Sequence, residues 1–116
     1  MPVLYHHRLG FPKNIKIKYG TLRLTYTKHA VERAKESKYD KIVLPEKIDT
    51  DQAQAIEVEV GDDGMPQKIL YRASYSALYE MCMAVVIPSG IVKTIWLNRC
   101  DDNHNTLDVR KYGRAG

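Results

Sequence analysis

The residues best placed to do chemistry lie in Lys28-His29-Ala30-Val31-Glu32-Arg33. On a helix, His29 and Arg33 are four apart and share one flank. If the helix starts just before them, His29 falls in its first turn, where free backbone N–H groups and the helix dipole favour an anion. The same dipole disfavours a protonated imidazole, which keeps His29 ready to accept a proton near neutral pH. Imidazole, guanidinium and helix start together suit a phosphate, with Lys28 beside them. The plainer alternative is a solvated helix flank on which His29 bonds a neighbouring strand and Arg33 pairs with Glu36.

A second polar group runs through Asn98, Arg99, His104 and Asn105, followed by Asp108, Arg110, Lys111 and Tyr112. If a strand end brings this loop to the helix start, His29 and His104 face one phosphodiester as base and acid. Arg33 and Arg99 then stabilise the charge. Otherwise it is an exposed loop of the usual polar kind. Arg72, with Tyr71 and Tyr75 nearby, offers phosphate contact and stacking to single-stranded RNA, although tyrosines in strands more often serve the core. His6-His7 lies in a tail-like stretch and reads as incidental. Four scattered histidines and two distant cysteines match no zinc spacing, so no metal is expected. No glycine-rich phosphate loop or other cofactor motif is present, so no cofactor is expected.

These side chains need elements to hold them. Ile15, Ile17 and Tyr19 alternate with lysines, and Leu22, Leu24 and Tyr26 alternate with Arg23 and Thr25 across Gly20-Thr21. That reads as an N-terminal hairpin with one wet, basic face. Thr27 is a natural N-cap for a helix over 28–38, with Ala30, Val31 and Ala34 as its apolar stripe. Ile42, Val43 and Leu44 suggest a short strand ended by Pro45, and 50–55 a helical turn. Ile56 to Val60 alternates, and Gly61-Asp62-Asp63-Gly64 turns the chain. Strands follow over 68–74, 78–87 and 91–97, the middle one apolar on both faces and therefore central. The expected fold is α+β: a short N-terminal hairpin and a helix packed on a four-stranded antiparallel meander. Residues 1–14 and 110–116 are expected to be less ordered, with a short strand over 106–109.

The 116 residues fit one domain able to bury a core without staples. No apolar run approaches the length of a membrane span, and Met1 to Asn14 lacks the apolar region of a signal peptide. Cys82 sits in an apolar run, as buried free thiols do, and a reduced cytoplasmic setting follows as the expectation. The net charge of +4 conceals a division. Residues 1–41 hold ten Lys/Arg against three Asp/Glu, and residues 42–64 hold one against seven. The basic third is where a polyanion is attracted, or else the two halves attract each other.

The layout also resembles a known group. Lys28-His29-Ala30 with Arg33 one turn on, followed by an antiparallel meander ending in Ser89-Gly90-Ile91-Val92-Lys93-Thr94-Ile95-Trp96-Leu97, is similar to small phage and bacterial domains related to RelE-like ribonuclease toxins. That superfamily resembles barnase and the colicin tRNases in outline. The resemblance covers about residues 22–97. It implies RNA binding, and metal-independent cleavage through attack of a ribose 2′-hydroxyl on the adjacent phosphate. The resemblance points to His29 and Arg33, and on the late-strand side to the region near Arg99 and His104. With His29 and His104 as the expected catalytic pair, Lys28, Arg33, Arg72 and Arg99 are the expected phosphate or RNA contacts. The rival expectation is a non-enzymatic phage-type protein that binds and inhibits a host protein, or a small virion component, using the acidic 46–63 segment or a strand edge. In either case the site of action is the cytoplasm, the host's if the gene is phage-borne.

Overall fold

The computed structural model describes residues 1–37, 42–100 and 109–113. Its centre is β7 (Tyr79–Val86), where Met81, Cys82, Met83, Ala84 and Val85 are all buried. A strand apolar on both faces has to lie inside a sheet. Antiparallel neighbours flank it: β6 (Pro66–Ser74) on one side and β8 (Ile91–Arg99) on the other. Beyond β6 lies β5 (Gln54–Val60), joined through the turn in which Gly64 N–H bonds Gly61 O.

The expected four-stranded meander is only the middle of this sheet. Two more strands extend it to six, in the order β1-β5-β6-β7-β8-β3. β1 (Val3–His6) pairs antiparallel with β5, so part of the expected N-terminal tail is an edge strand. β3 (Thr25–Tyr26) lies parallel to β8, with Thr25 opposite Ile91 and Tyr26 opposite Val92. The sheet is therefore mixed.

The predicted N-terminal hairpin does not form. β2 (Thr21–Arg23) pairs instead with β4 (Lys47–Asp49), a distant segment, and residues 15–19 are irregular. The reason is visible at Thr50, which is 1% exposed. Its hydroxyl accepts from Tyr19 N–H at 2.7 Å and donates to Gly20 O at 2.7 Å, while its own N–H donates to the same carbonyl at 2.9 Å. Gly20, at φ 63°, makes the corner, which is a left-handed conformation that glycine adopts without steric cost. The backbone groups that a local hairpin would have paired are thus taken by Thr50. The strand predicted at 42–44 is also absent; Ile42 and Leu44 pack on the core from extended chain, and the paired residues begin at Lys47.

α1 (Lys28–Lys35) starts where the sequence says it should. Thr27 is its N-cap, its hydroxyl accepting from Ala30 N–H at 3.1 Å. Loss of that cap costs about 1 kcal/mol. The helix is shorter than predicted because Glu36 N–H is shared between the carbonyls of Glu32 and Arg33, which tightens the last turn, and Ile42 N–H then takes Ala34 O. Eight residues cannot hold a helix alone in water. Ala30 and Ala34, both buried, fix it over the β8 side of the sheet.

The register divides the sheet into two faces. Val58, Ile69, Tyr71, Met83, Val85, Val92 and Ile95 form one face and are fully buried. A layer from about residue 11 to residue 50 covers them: Phe11, Ile15, Ile17, Tyr19, Leu22, α1, Leu44 and Ile48 all belong to or pack on the same core. The opposite face carries Leu4, Glu57, Glu59, Lys68, Leu70, Arg72, Thr94 and Trp96, mostly half-buried. No helix among the described residues is long and apolar enough to cross a membrane.

Candidate nucleic-acid interface

The covering layer turns apolar side chains inward and cations outward. Ile15, Ile17 and Tyr19 are half-buried against the core, while Lys16 and Lys18 between them are exposed. Tyr71 anchors this strip from below, its hydroxyl donating to Ile17 O at 2.7 Å. Burial drives the Tyr71 phenol well above its ordinary pKa, so it stays a neutral donor. Lys16 lies 4.8 Å from the Tyr19 ring centre, a cation–π contact that leaves its charge in place.

The rest of the layer continues the pattern. Arg23, Lys28, His29, Arg33, Lys35 and Lys47 are all exposed. Across residues 11–37 seven Lys/Arg stand against two Glu, Glu32 and Glu36. None of these cations is in an ion pair among the described residues, so the expected pairing of Arg33 with Glu36 is not made. Unpaired, solvated charge of one sign is the electrostatic footprint of a polyanion site.

The predicted site residues separate into three places. Lys28, His29 and Arg33 are together on the exposed side of α1. Thr27, just before them, bonds β8 at its start: Thr27 N–H to Val92 O and the Thr27 hydroxyl to Lys93 O. Arg99 is at the other end of β8, six strand residues or about 20 Å beyond Lys93. The helix start and the end of the last strand are therefore not neighbours. Arg72 is on the opposite face of the sheet, where Glu80 holds it at 3.0 Å and Arg99 O accepts from it at 3.2 Å. Its neighbour Tyr71 faces the other way, into the core, so no stacking platform forms around Arg72. His104, and the strand predicted over 106–109 except Val109, lie outside the described residues. No group of three His, Cys, Asp or Glu among the described residues is arranged to hold a metal.

No family model matches the chain, and no curated protein or solved structure is significantly similar to it.

One cluster escaped the sequence reading. His6 is buried, its Nδ1 accepting from Arg8 N–H at 3.1 Å. Its ring lies 4.7 Å from that of His7 and 4.9 Å, edge-on, from that of Tyr112. The Tyr112 hydroxyl donates to Glu57 Oε1, and Gly113 N–H donates to Leu4 O at 2.7 Å. Burial, reinforced by neighbouring positive charge, lowers the pKa of both imidazoles. The neutral His6 that results is what its acceptor role requires. This cluster fastens residues 109–113 to β1 and β5. The only sequence signal for it was the His6-His7 pair itself, in a stretch too short to read as a strand.

Proposed function

We propose that this chain is an RNA-binding domain of RelE-like type, using the outer surface of the covering layer as its contact. The observation that carries the reading is the separation of charge by the sheet. Lys16, Lys18, Arg23, Lys28, Arg33, Lys35 and Lys47 lie unpaired on the covered side, among the described residues. Lys68 and Arg72, on the opposite face, pair with Glu59 and Glu80. A surface of unpaired lysines and arginines binds phosphates with release of counterions, so affinity falls steeply with salt. The choice of RNA over DNA comes from the resemblance of Lys28-His29-Ala30 and Arg33 to the RelE-like helix start.

Ribonuclease activity is the finer form of this reading. His29, exposed in the first turn of α1 with Arg33 on the same flank, is the base it would use. The test is direct. Purified wild type and His29→Ala are titrated against labelled RNA and against DNA of the same sequence, from 50 to 300 mM salt. A parallel incubation with total RNA in EDTA is run on gels. Salt-dependent RNA binding with intact RNA in every lane supports a binding domain and removes the nuclease. RNA breakdown lost in His29→Ala supports the nuclease. No binding at the lowest salt, together with recovery of one stoichiometric protein partner from a pull-down, overturns the RNA reading in favour of the protein-binding rival.

A further inference from the structure

β2 and β4 place Arg23 directly opposite Lys47. Cross-strand neighbours have Cβ atoms about 5 Å apart, and like charges there are destabilising. Leu22 and Ile48, the preceding pair, face the core, so Arg23 and Lys47 both face solvent, and both are exposed. Neither takes part in an ion pair or a side-chain hydrogen bond among the described residues. Asp49 and Glu46, the acids nearest in sequence, form no ion pair with either among the described residues, and Asp49 Oδ1 accepts from Asp51 N–H.

The pair sits on the rim of a cleft of about 630 Å³, lined by Thr25, Tyr26, Pro45 and Glu46 among others. That volume lies within the range of small-molecule sites. Its walls are fixed. Leu24 N–H donates to Glu46 O at 2.8 Å, tying the two strands together. The Tyr26 hydroxyl donates to Pro45 O, and burial pushes its pKa up to about 12, so it remains a donor. From the other side Gly90, at φ 82°, lies so close that a Cβ there would stand 2.0 Å from Arg23 O. Arg23 is therefore clamped at its backbone between β4 and the Gly90 turn, with only its side chain free. Thr25, exposed at the same opening, adds a hydroxyl donor.

We infer that this cleft is a phosphate-binding site, in which one phosphate group bridges Arg23 and Lys47 and accepts from Thr25. The like-charge pair that costs stability in the empty protein becomes favourable once an anion lies between its members. Glu46 opposes the anion, leaving two cations against one carboxylate. That balance favours a singly charged phosphodiester over a doubly charged phosphomonoester. The inference rests on the RNA-binding reading and names the point at which the backbone of the RNA is gripped.

Three proteins separate the two claims: wild type, R23Q/K47Q and K16Q/K18Q. Each is titrated with the same RNA across a salt series, and each is melted in sodium phosphate, in a mononucleotide and in chloride at equal ionic strength. The inference expects R23Q/K47Q to lose about tenfold or more in affinity and to flatten the salt slope by about one to two. It expects K16Q/K18Q to lose less. It also expects R23Q/K47Q to be no less stable than wild type in chloride, since repulsion is relieved. A rise of the wild-type melting temperature in phosphate or mononucleotide, absent in R23Q/K47Q, assigns the cleft to free phosphates as well. A rise absent from both proteins, with the RNA effect intact, assigns it to the polynucleotide. Equal weakening by the two double variants makes the surface diffuse and overturns the cleft, while RNA binding stands. Absence of RNA binding by the wild type overturns both.

Discussion

The two sides of the sheet solve the problem of charge differently. On the open face two cations lie beside acids: Lys68 is 4.0 Å from Glu59, and Arg72 is 3.0 Å from Glu80. On the covered side a layer of extended chain, short strands and one helix stands over a fully apolar face, and its outward cations have no such partners. Those two cations are matched within their own surface. The covered side remains available, and the contrast marks it as the candidate contact surface.

The comparison can be broken first by stability. Met83, fully buried between sheet and cover, should cost about 2–5 kcal/mol when changed to alanine. Leu70, on the open face of the neighbouring strand, should cost about 1–2 kcal/mol, because it is only half removed from water. Urea denaturation of both variants measures the difference, and equal costs would show that the open face is as closed as the other. Next in size is the charge test. Reversal of Lys16 and Lys18 to glutamate should lower RNA affinity at least about tenfold, or about 1.4 kcal/mol. Lys68→Glu should change it little. An equal loss from Lys68→Glu would place the contact on the wrong side. Tyr71→Phe removes the bond that holds Ile17 O and should cost about 1 kcal/mol in the same denaturation experiment.

The smallest effect is that of pH. His6 and His7 both have pKa values below the ordinary 6.5 in the folded chain, mainly through burial. The unfolded chain therefore takes up protons first. Their contribution to stability is complete above about pH 6.5 and is lost as pH falls below it. The urea midpoint should decline between pH 6.5 and 5.5, and His6→Asn with His7→Gln should flatten that decline. An unchanged slope in this double variant would free residues 109–113 from dependence on the histidines.

Much of the sheet was legible because its signals are local. The apolar stretch around Cys82 to Ile87 has no wet face, and the alternation over 56–60 and 68–74 fixes which side chains point inward. Thr27 and the Ala30–Ala34 stripe marked the helix in the same way. What alternation does not carry is the identity of the partner strand. Leu22 and Leu24 do face the core, but β2 pairs with β4 and β3 with β8, because Thr50 claims the corner a hairpin would have used. Val3–His6 was missed because four residues give too little pattern, and its supports are residues 109–113 and β5, far away in sequence. Lys28, His29 and Arg33 could be grouped from helical spacing. That Arg72 faces away from them follows only from the register of β6. The facing of Arg23 and Lys47 depends on a pairing 24 residues apart, which no local pattern announces.

The parallel pairing of β3 with β8 also sets a timetable. Thr25 and Tyr26 find their partners at Ile91 and Val92, after every other strand of the sheet has been made. Domains emerging from a ribosome fold from the N-terminus as partners appear. Here β3 and the helix that follows it have nothing to lie on until the last long strand is out, whereas β1 and β2 find β5 and β4 earlier. During synthesis the helix bearing Lys28, Arg33 and Lys35 therefore settles last, and it takes its place only when β8 completes the sheet beneath it.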